Sequence, residues 1–492
     1  MKKNLLIALV LVLPFMASAQ DEAPVYKDFY SKSKEIPASF ILNDHVNIMM
    51  ANKDNDTFDV IAVSDQMQVL WTTQMKGHPV AGAKFKGKIL AVASTEYSGM
   101  KAGNNTYNGY VIDPANGKVL LEKMIYDGSS AYMVIPYIAT GEGDYFKMAI
   151  RQTGFERRVH VATPLSFFSN NYTKQLNETK GLEVVEFNDK LEAVNKFQPQ
   201  LPGGDFLALT FNNAGDMFIS WFTDKGVDFV RYGAAKNSQP VKISTDASFT
   251  HDKGDIAMGL VQIVASKKDP AVLLYTMMYK NVNKDNELGV GRLDFNTNKK
   301  KVVTEVFIKD HIKSLEKAFV PVNKKMDKPD MGSAKLLNVR HLLEDNGHLV
   351  VTITGRSSSQ GTMGVWELET STLLNVYDAD LNLKAQQFVP SGYSMPARIL
   401  SSGYYIKNDK LYTITNDKQG MTTMYATYGV LDLNSGKWDK MVWLSKKHIS
   451  NSDFAGSSCT LWYPNALIVP YIDVRNGIGT TKYDVTLQQN PL

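Results

Sequence analysis

The chain alternates short apolar stretches with polar turns over almost its whole length. The apolar stretches are rich in Val, Ile, Tyr, Phe and Thr, and Asn, Asp and Gly bound them, a pattern typical of short β-strands joined by turns. Helical spacing is confined to residues 309–319, where Ile312, Leu315 and Phe319 share one face at i, i+3 and i+7. The pattern predicts an all-β fold with a short helical insertion near 309–319.

A hairpin recurs along the chain. Its clearest copies, residues 110–123, 290–305 and 428–442, each consist of an apolar strand ending in Asp, a short turn of Asn, Ser, Pro or Gly, and a second strand. Asp and Asn side chains bond their own backbone in such turns, and Gly and Asn accept positive φ. Looser copies begin at Val60, Val184, Ile219 and Val376.

The repeated hairpins predict a β-propeller, because a four-stranded blade cannot bury both faces alone and must stack around an axis. Strands near 460–474 and 482–487 would pair with N-terminal strands to close the ring. We therefore predict about seven blades, with eight as the alternative and a two-domain β-protein as a further one. The predicted blades span 40–76, 78–126, 130–199, 205–243, 254–306, 336–390 and 396–444.

The N-terminus has the pattern of a secretory signal peptide. Lys2 and Lys3 precede an apolar run at 5–15, and small residues end the segment at Ala19. The run is roughly half of the ~20 residues that span a bilayer. We predict a signal peptide at 1–19, cleavage between Ala19 and Gln20, a linker at 20–39 and a single propeller domain at 40–492.

The predicted signal peptide and the composition bear on location and partners. Gln20 stands where a lipoprotein needs a cysteine, so we expect an exported protein, periplasmic or secreted, with neither a lipid anchor nor membrane insertion after cleavage. The 54 basic and 50 acidic residues nearly balance, so no nucleic-acid partner is expected. Cys459 is the one cysteine, which excludes an intramolecular disulfide and leaves stability to packing.

Two hairpins carry a family resemblance. Residues 112–121 and 431–440 have the form aspartate, turn, Gly-Lys and apolar strand, which resembles the repeats of pyrroloquinoline-quinone-type and outer-membrane-assembly propellers. That resemblance implies the architecture. The quinone enzymes use adjacent cysteines near the cofactor, so no cofactor is predicted here. A Tyr- and Lys-rich propeller behind a signal ending in Ala-Gln also resembles uncharacterised exported proteins of Bacteroidota-type bacteria, and this resemblance implies no activity.

The sequence offers few catalytic patterns. It contains neither G-x-S-x-G nor H-E-x-x-H, and its eight histidines are scattered. The oxygen-rich stretches at 52–56 and 378–382 lack the glycine and terminal acid of a calcium loop, so both are interpreted as turns. No catalytic residue and no metal site is predicted.

The best candidate binding residues are Arg340 and Arg356. If 337–341 forms an innermost strand, with Asn338 and Arg340 alternating with buried residues, Arg340 lines the channel and Arg356 lies in the loop after the next strand. These arginines would hold an anionic ligand, or form structural ion pairs. We predict a non-catalytic exported propeller that binds a protein, peptide or glycan at one loop face. The alternatives are a carbohydrate-active hydrolase or lyase using paired carboxylates at the channel, and a quinone-type oxidoreductase.

Overall fold

A computed structural model of the protein describes the larger part of the chain. The predicted signal peptide and its cleavage site lie outside the described residues. The described residues are 25–31, 38–54, 56–95, 106–127, 132–156, 178–223, 225–234, 239–245, 261–319, 329–331, 337–361, 364–389, 391, 393–396, 402–419, 423–444, 454–455, 459–477 and 480–492.

The described residues form β-strands almost throughout, with one α-helix. Strands β1 to β17 are Val25–Ser31, Ala38–Asn43, Val46–Asn52, Thr57–Ser64, Val69–Lys76, His78–Phe85, Lys88–Ser94, Tyr107–Ile112, Val119–Tyr126, Tyr132–Ala139, Phe146–Glu156, Thr179–Phe187, Ala193–Phe197, Asp205–Phe211, Met217–Thr223, Gly226–Tyr232 and Val241–Thr245. Strands β18 to β34 are Val261–Ala265, Val272–Lys280, Asn286–Asp294, Lys299–Phe307, Leu337–Asp345, His348–Gly361, Gly364–Tyr377, Leu383–Val389, Tyr393–Pro396, Gly403–Lys407, Lys410–Gln419, Thr423–Asp432, Lys437–Trp443, Phe454–Ala455, Leu461–Trp462, Ala466–Gly477 and Thr480–Pro491. Helix α1 is Lys309–Ala318, as the spacing predicted, and Gly141–Gly143 forms a 3₁₀ turn.

These strands pair antiparallel into eight sheets within the described residues. Seven sheets each take four consecutive strands, starting at β2, β6, β10, β14, β18, β22 and β27, and β26 adds to the sixth. First strands of neighbouring sheets contact one another, as β2 does with β6, β14 with β18 and β18 with β22. Sheets that radiate from a ring of first strands are the blades of a β-propeller. The protein is an eight-bladed β-propeller. The sequence predicted about seven blades, with eight as the alternative.

The eighth blade closes the ring with strands from both ends of the described chain. Its sheet has the order β1, β34, β33, β31, and β32 also pairs with β33. β1 pairs antiparallel with β34 from Val25 opposite Gln489 to Ser31 opposite Asp484. Residues 20–39, predicted as a linker, therefore contain the outermost strand of blade 8. The linker prediction is wrong at 25–31, whereas β34 pairs with an N-terminal strand as predicted from the sequence.

Apolar contacts between blades form the core. Between blades 1 and 2, for example, the rings of Phe58 and Tyr110 meet edge-on with centroids 6.3 Å apart, and the Tyr110 hydroxyl donates to the Lys76 carbonyl at 3.0 Å. Burying one such side chain is worth roughly 1.5–3 kcal/mol. Cys459 is buried and is the one cysteine of the chain, so packing and strand pairing, without an intramolecular disulfide, hold the blades together.

Three hairpin turns place an apolar residue in the left-handed backbone region. Met67, Leu191 and Leu381 have φ of 55°, 54° and 57°, and their side chains are at most 3% exposed. In the third turn, the Asp378 carboxylate accepts the N–H groups of Asp380 and Asn382 at 2.9 Å. Left-handed backbone costs such residues about 1–2 kcal/mol, and burial of the side chain between blades offsets that cost.

The two faces of the propeller differ in their connections. Antiparallel neighbours run in opposite directions, so the connections from first to second and from third to fourth strand share one face, the turn face. Between described strands, the longest of these connections is residues 233–240. Connections from second to third strand and on to the next blade share the other face, the loop face. The long ones there are 95–106, 157–178, 246–260 and 308–336.

Candidate functional site

Arg340 lies on β22, the first strand of blade 6. Its neighbours Val339 and His341 pair with consecutive residues of β23, which leaves Arg340 as a bulge and breaks the predicted alternation with Asn338. Val339 joins the apolar core shared with blade 5, and the His341 ring meets Tyr404 of blade 7 with centroids 5.0 Å apart. These neighbours occupy the two blade faces, so Arg340 is the extra residue that interrupts the alternation between them.

The same one-residue bulge occurs in the first strands of blades 2 and 4. The bulged residue is Val80 in β6 and Leu207 in β14. Val80 is 38% exposed, and Leu207 packs against the apolar core between blades 4 and 5. Both of these residues are aliphatic. Arg340 therefore brings a permanently charged guanidinium to a position that two other blades fill with apolar side chains.

The carboxylates of the described first strands lie at opposite ends of the channel. Asp205 begins β14 at the loop face, whereas Glu344 and Asp345 end β22 at the turn face. Glu344 accepts the backbone N–H of Lys267 at 3.0 Å, and Asp345 accepts its ammonium at 2.9 Å. Within these strands, the carboxylates that lie together are engaged by Lys267 in a contact between blades 5 and 6.

Arg356 lies within a strand and not in a loop. β23 continues to Gly361 and β24 begins at Gly364, so Arg356 stands opposite Glu369 in the backbone register. The prediction of a loop at this position is wrong, because the hairpin extends past the end of β22 on the loop face. Arg356 is about 10 Å along the strand direction from the bulge at Arg340.

A layer of hydroxyl groups, the hydroxyl seam, lies beside Arg340 between blades 6 and 7. Side chains alternate along a strand, so these hydroxyl groups lie on the same blade faces as Val350 of blade 6 and Leu411 of blade 7. Those two side chains belong to one apolar core. The hydroxyl seam lies on the loop-face side of that apolar core, and five of its threonines are at most 2% exposed: Thr352, Thr354, Thr372, Thr413 and Thr427. The Thr352 hydroxyl accepts the His341 N–H at 2.9 Å.

Four polar atoms of the hydroxyl seam have no hydrogen-bond partner among the described residues. They are Asn338 Nδ2, Thr354 Oγ1, Thr413 Oγ1 and Thr427 Oγ1. Sequence reasoning missed the seam because threonine is an ordinary strand residue. Threonines at alternate positions, 352 and 354 or 413 and 415, are the signal that was available.

A second polar cluster joins α1 to the interface between blades 5 and 6. The Glu305 carboxylate accepts hydrogen bonds from His311 at 2.8 Å, Asn375 at 2.8 Å and Gln386 at 2.7 Å. The Asn375 amide also donates to the Tyr377 hydroxyl at 3.1 Å, and burial raises the pKa of that phenol. The cluster satisfies its own polar groups, so we assign it a structural role.

Arg151 is a buried arginine outside the channel. It lies on β11, is 1% exposed, and places its guanidinium 4.1 Å from the centroid of the Phe206 ring. Its Nη1 donates to the Thr179 hydroxyl at 3.3 Å, and burial lowers its pKa. These contacts join blades 3 and 4, which gives Arg151 a structural position.

The stretches that resemble calcium loops form turns in the structure. Asp54 accepts the N–H groups of Asp56 and Thr57 at 2.8 and 2.7 Å, and the Asp378 carboxylate is engaged in its own turn. Among the described residues, no three His, Cys, Asp or Glu side chains are placed to hold a metal ion. The described helix is too short to cross a membrane.

Comparison with known proteins finds similarity at the level of the fold. No family model and no curated protein matches the sequence. The WD40 domain of SCAP from fission yeast is 10% identical, with 95% of this chain and 98% of that chain covered and a TM-score of 0.40. The β-propeller domain of the Trilobed protease from Pyrococcus furiosus is 8% identical, with coverages of 80% and 91% and a TM-score of 0.37. Prolyl oligopeptidase B from Galerina marginata is 8% identical, with coverages of 90% and 55% and a TM-score of 0.42.

Proposed function

We propose that the protein is an exported, non-catalytic β-propeller that binds a protein, peptide or glycan at its loop face, with Arg340 holding an anionic group of the ligand. The bulge in β22 supports this proposal, because it takes a charged residue of an innermost strand out of the alternation, at a position where β6 and β14 have the aliphatic residues Val80 and Leu207. A guanidinium offers paired donors that match a carboxylate or phosphate.

The position of Arg340 along its strand favours the loop face as the binding face. Arg340 lies three residues from Leu337, where β22 begins at the loop face. The long connections attach at this face, and binding residues of propellers and other rigid scaffolds are concentrated on such loops.

A binding role accounts for the channel better than glycosidic chemistry. Paired-carboxylate hydrolysis needs two acids roughly 5–10 Å apart across the substrate. In the described first strands, Asp205 stands at one end of the channel, and Glu344 and Asp345 stand at the other, where Lys267 engages them.

Arrays of acidic peptides and of uronate- or sulfate-bearing glycans test the binding role. We expect the parent protein to bind a subset of anionic probes and Arg340→Gln to bind them about tenfold more weakly, which corresponds to about 1.4 kcal/mol. Arg340→Lys keeps the charge without the planar fork and should fall between the two. Arg292→Gln, on the third strand of blade 5, is the matched control. Equal binding by the parent and Arg340→Gln contradicts the proposal.

Export is tested separately, by N-terminal sequencing of protein recovered outside the cytoplasm. We expect the mature chain to begin at Gln20. Retention of the protein with residues 1–19 intact contradicts export and leaves the binding experiment unaffected.

A further inference from the structure

The outermost strand of blade 5 is unusually regular. β21 has nine residues, more than any other described fourth strand, and it pairs with β20 without a break from Lys299 to Phe307. The outermost strands β1, β5, β9, β13, β25 and β30 each contain a register shift against their neighbour. β17 has no shift but only five residues. Bulges and short lengths protect sheet edges from pairing with other chains, and β21 has neither.

The side of β21 that faces blade 4 is apolar and exposed. Val302 and Val306 are 39% and 40% exposed, and Ile308, directly after the strand, is 46% exposed. Lys300 on the same side donates to the carbonyl of Ser244 in β17 at 3.0 Å. The short β17 therefore covers the beginning of β21 and leaves its β-branched residues open. Such residues favour pairing with a further strand.

Five exposed lysines lie on β21 and on the helix that follows it. Lys299 and Lys301 lie at the start of β21, and Lys309, Lys313 and Lys317 follow on α1 at i, i+4 and i+8. All five are exposed and make no ion pair within the described residues. Like charges four residues apart destabilise a helix, whereas Asp310 in the first turn and Lys317 in the last turn favour the helix dipole. A partner of opposite charge would offset the repulsion between the lysines.

We propose that the β21 edge is a docking site for an extended acidic segment of another polypeptide, which binds by adding a strand to blade 5. The unpaired backbone groups of an edge strand supply the hydrogen bonds of this mode of binding. Side chains of an added strand alternate, so apolar residues would meet Val302 and Val306 while acidic ones reach the lysines. A second copy of this chain would bring the same positive charge, which disfavours self-pairing at this edge.

A labelled synthetic peptide tests the proposal. The probe is a nine-residue peptide of alternating Val and Glu, with fluorescence anisotropy as the readout. We expect saturable binding that weakens when NaCl is raised from about 50 to about 300 mM. Val306→Glu should weaken binding about tenfold, because it removes an apolar contact and repels the probe. The matched control is Val194→Glu, at a 58% exposed valine on the outermost strand of blade 3, which should leave binding unchanged.

Two further controls separate strand addition from charge attraction alone. A peptide with alternate backbone amides N-methylated lacks the N–H donors along one of its edges and cannot pair as a strand through that edge. A peptide with Lys in place of Glu reverses the charge. Both should lose binding. Retained binding of the N-methylated peptide, or equal binding by Val306→Glu and the parent, overturns the proposal.

Sedimentation and a channel variant complete the test. A dimer that Val306→Glu dissociates would place a second copy on β21 and overturn the assignment of an acidic partner. Unchanged melting temperatures of the Val306→Glu and Val194→Glu proteins would show that both are folded. Arg340→Gln should bind the peptide as the parent does, so failure at β21 and failure of the channel proposal are distinguishable.

Discussion

The turn face and the loop face belong to the same blades but are built differently. On the turn face, short connections close with side-chain to backbone hydrogen bonds, and residues such as Leu191 and Leu381 insert from the turns into the seams between blades. On the loop face, the connections are long, hairpins extend past the blades, and polar clusters replace part of the apolar core. The comparison indicates that the turn face stabilises the ring and that the loop face is open to functional variation.

The largest effect is expected in a turn-face hairpin. Leu381→Ala should lower the free energy of unfolding by about 2–4 kcal/mol, because it empties a buried position between blades. Leu381→Gly should cost about 1 kcal/mol less than Leu381→Ala, since glycine accepts φ of 57°. Urea denaturation measures both, with Leu383→Ala, at a 45% exposed leucine, as the control. Equal stability of the parent and Leu381→Ala would remove the distinction between the faces.

A smaller effect is expected at the polar cluster under α1. Glu305→Ala removes the acceptor of three hydrogen bonds and leaves the Asn375 and Gln386 amides underpaired, which should cost about 1–3 kcal/mol. Lys301→Ala, at an exposed position on the same strand, should change stability little. Chemical denaturation checks this pair. If Glu305→Ala leaves the free energy of unfolding unchanged, α1 needs no polar anchor on the loop face.

The pH dependence of stability sharpens the comparison at a single turn. Hydrogen bonds from Asn382, followed by those from Lys384 and the Asp380 N–H, hold the pKa of the Asp378 carboxyl well below its usual value. Its stabilising contribution is therefore present above the unfolded-state pKa of roughly 4 and is lost as the pH falls through the lowered pKa. Asp378→Ala should lower the melting temperature at pH 7, and its difference from the parent should shrink toward pH 2. For Asp380→Ala, which removes no turn acceptor, we expect no such trend.

The smallest effect is expected in the hydroxyl seam. Thr354→Val removes a buried hydroxyl without a partner among the described residues, so it should be neutral or stabilise the protein by less than about 1 kcal/mol. Thr352→Val removes the acceptor of the His341 N–H and should destabilise by about 1 kcal/mol. Thermal unfolding of both variants measures the difference. Equal destabilisation would indicate that ordered water or a ligand satisfies the Thr354 hydroxyl.

Local chemistry made the blades predictable from the sequence. Asp113 and Asp432 end strands and are followed by Gly117 and Gly436 at positive φ, the combination that identifies such hairpins. Repetition of these turns then indicates radial blades. The positive φ of Leu191 and Leu381 was not predictable in the same way, because it depends on burial against a neighbouring blade and opposes the intrinsic preference of leucine.

The candidate site was less predictable than the blades. From the sequence, an innermost strand at Arg340 was considered only as a condition, and β22 is such a strand. The bulge at Arg340 depends on the register with β23, which the pattern of apolar residues does not specify at a single position. Arg356 was misplaced because the extended hairpin of β23 and β24 has no apolar alternation that marks its end. Closure of the ring by C-terminal and N-terminal strands was predicted, but the N-terminal strand Val25–Ser31 was assigned to the linker.

The pairing of β1 with β34 has a consequence for how the molecule is made. A ribosome releases Val25–Ser31 long before Thr480–Pro491, its partner strand, so the outermost strand of blade 8 stays unpaired while the strands between them are synthesised. Closing so long a loop costs conformational entropy before any stabilising contact forms, and such non-local pairing is slow. Ring closure should therefore be a late kinetic step. Until then the unpaired strand β1 is exposed to chaperones and to pairing with the wrong strand.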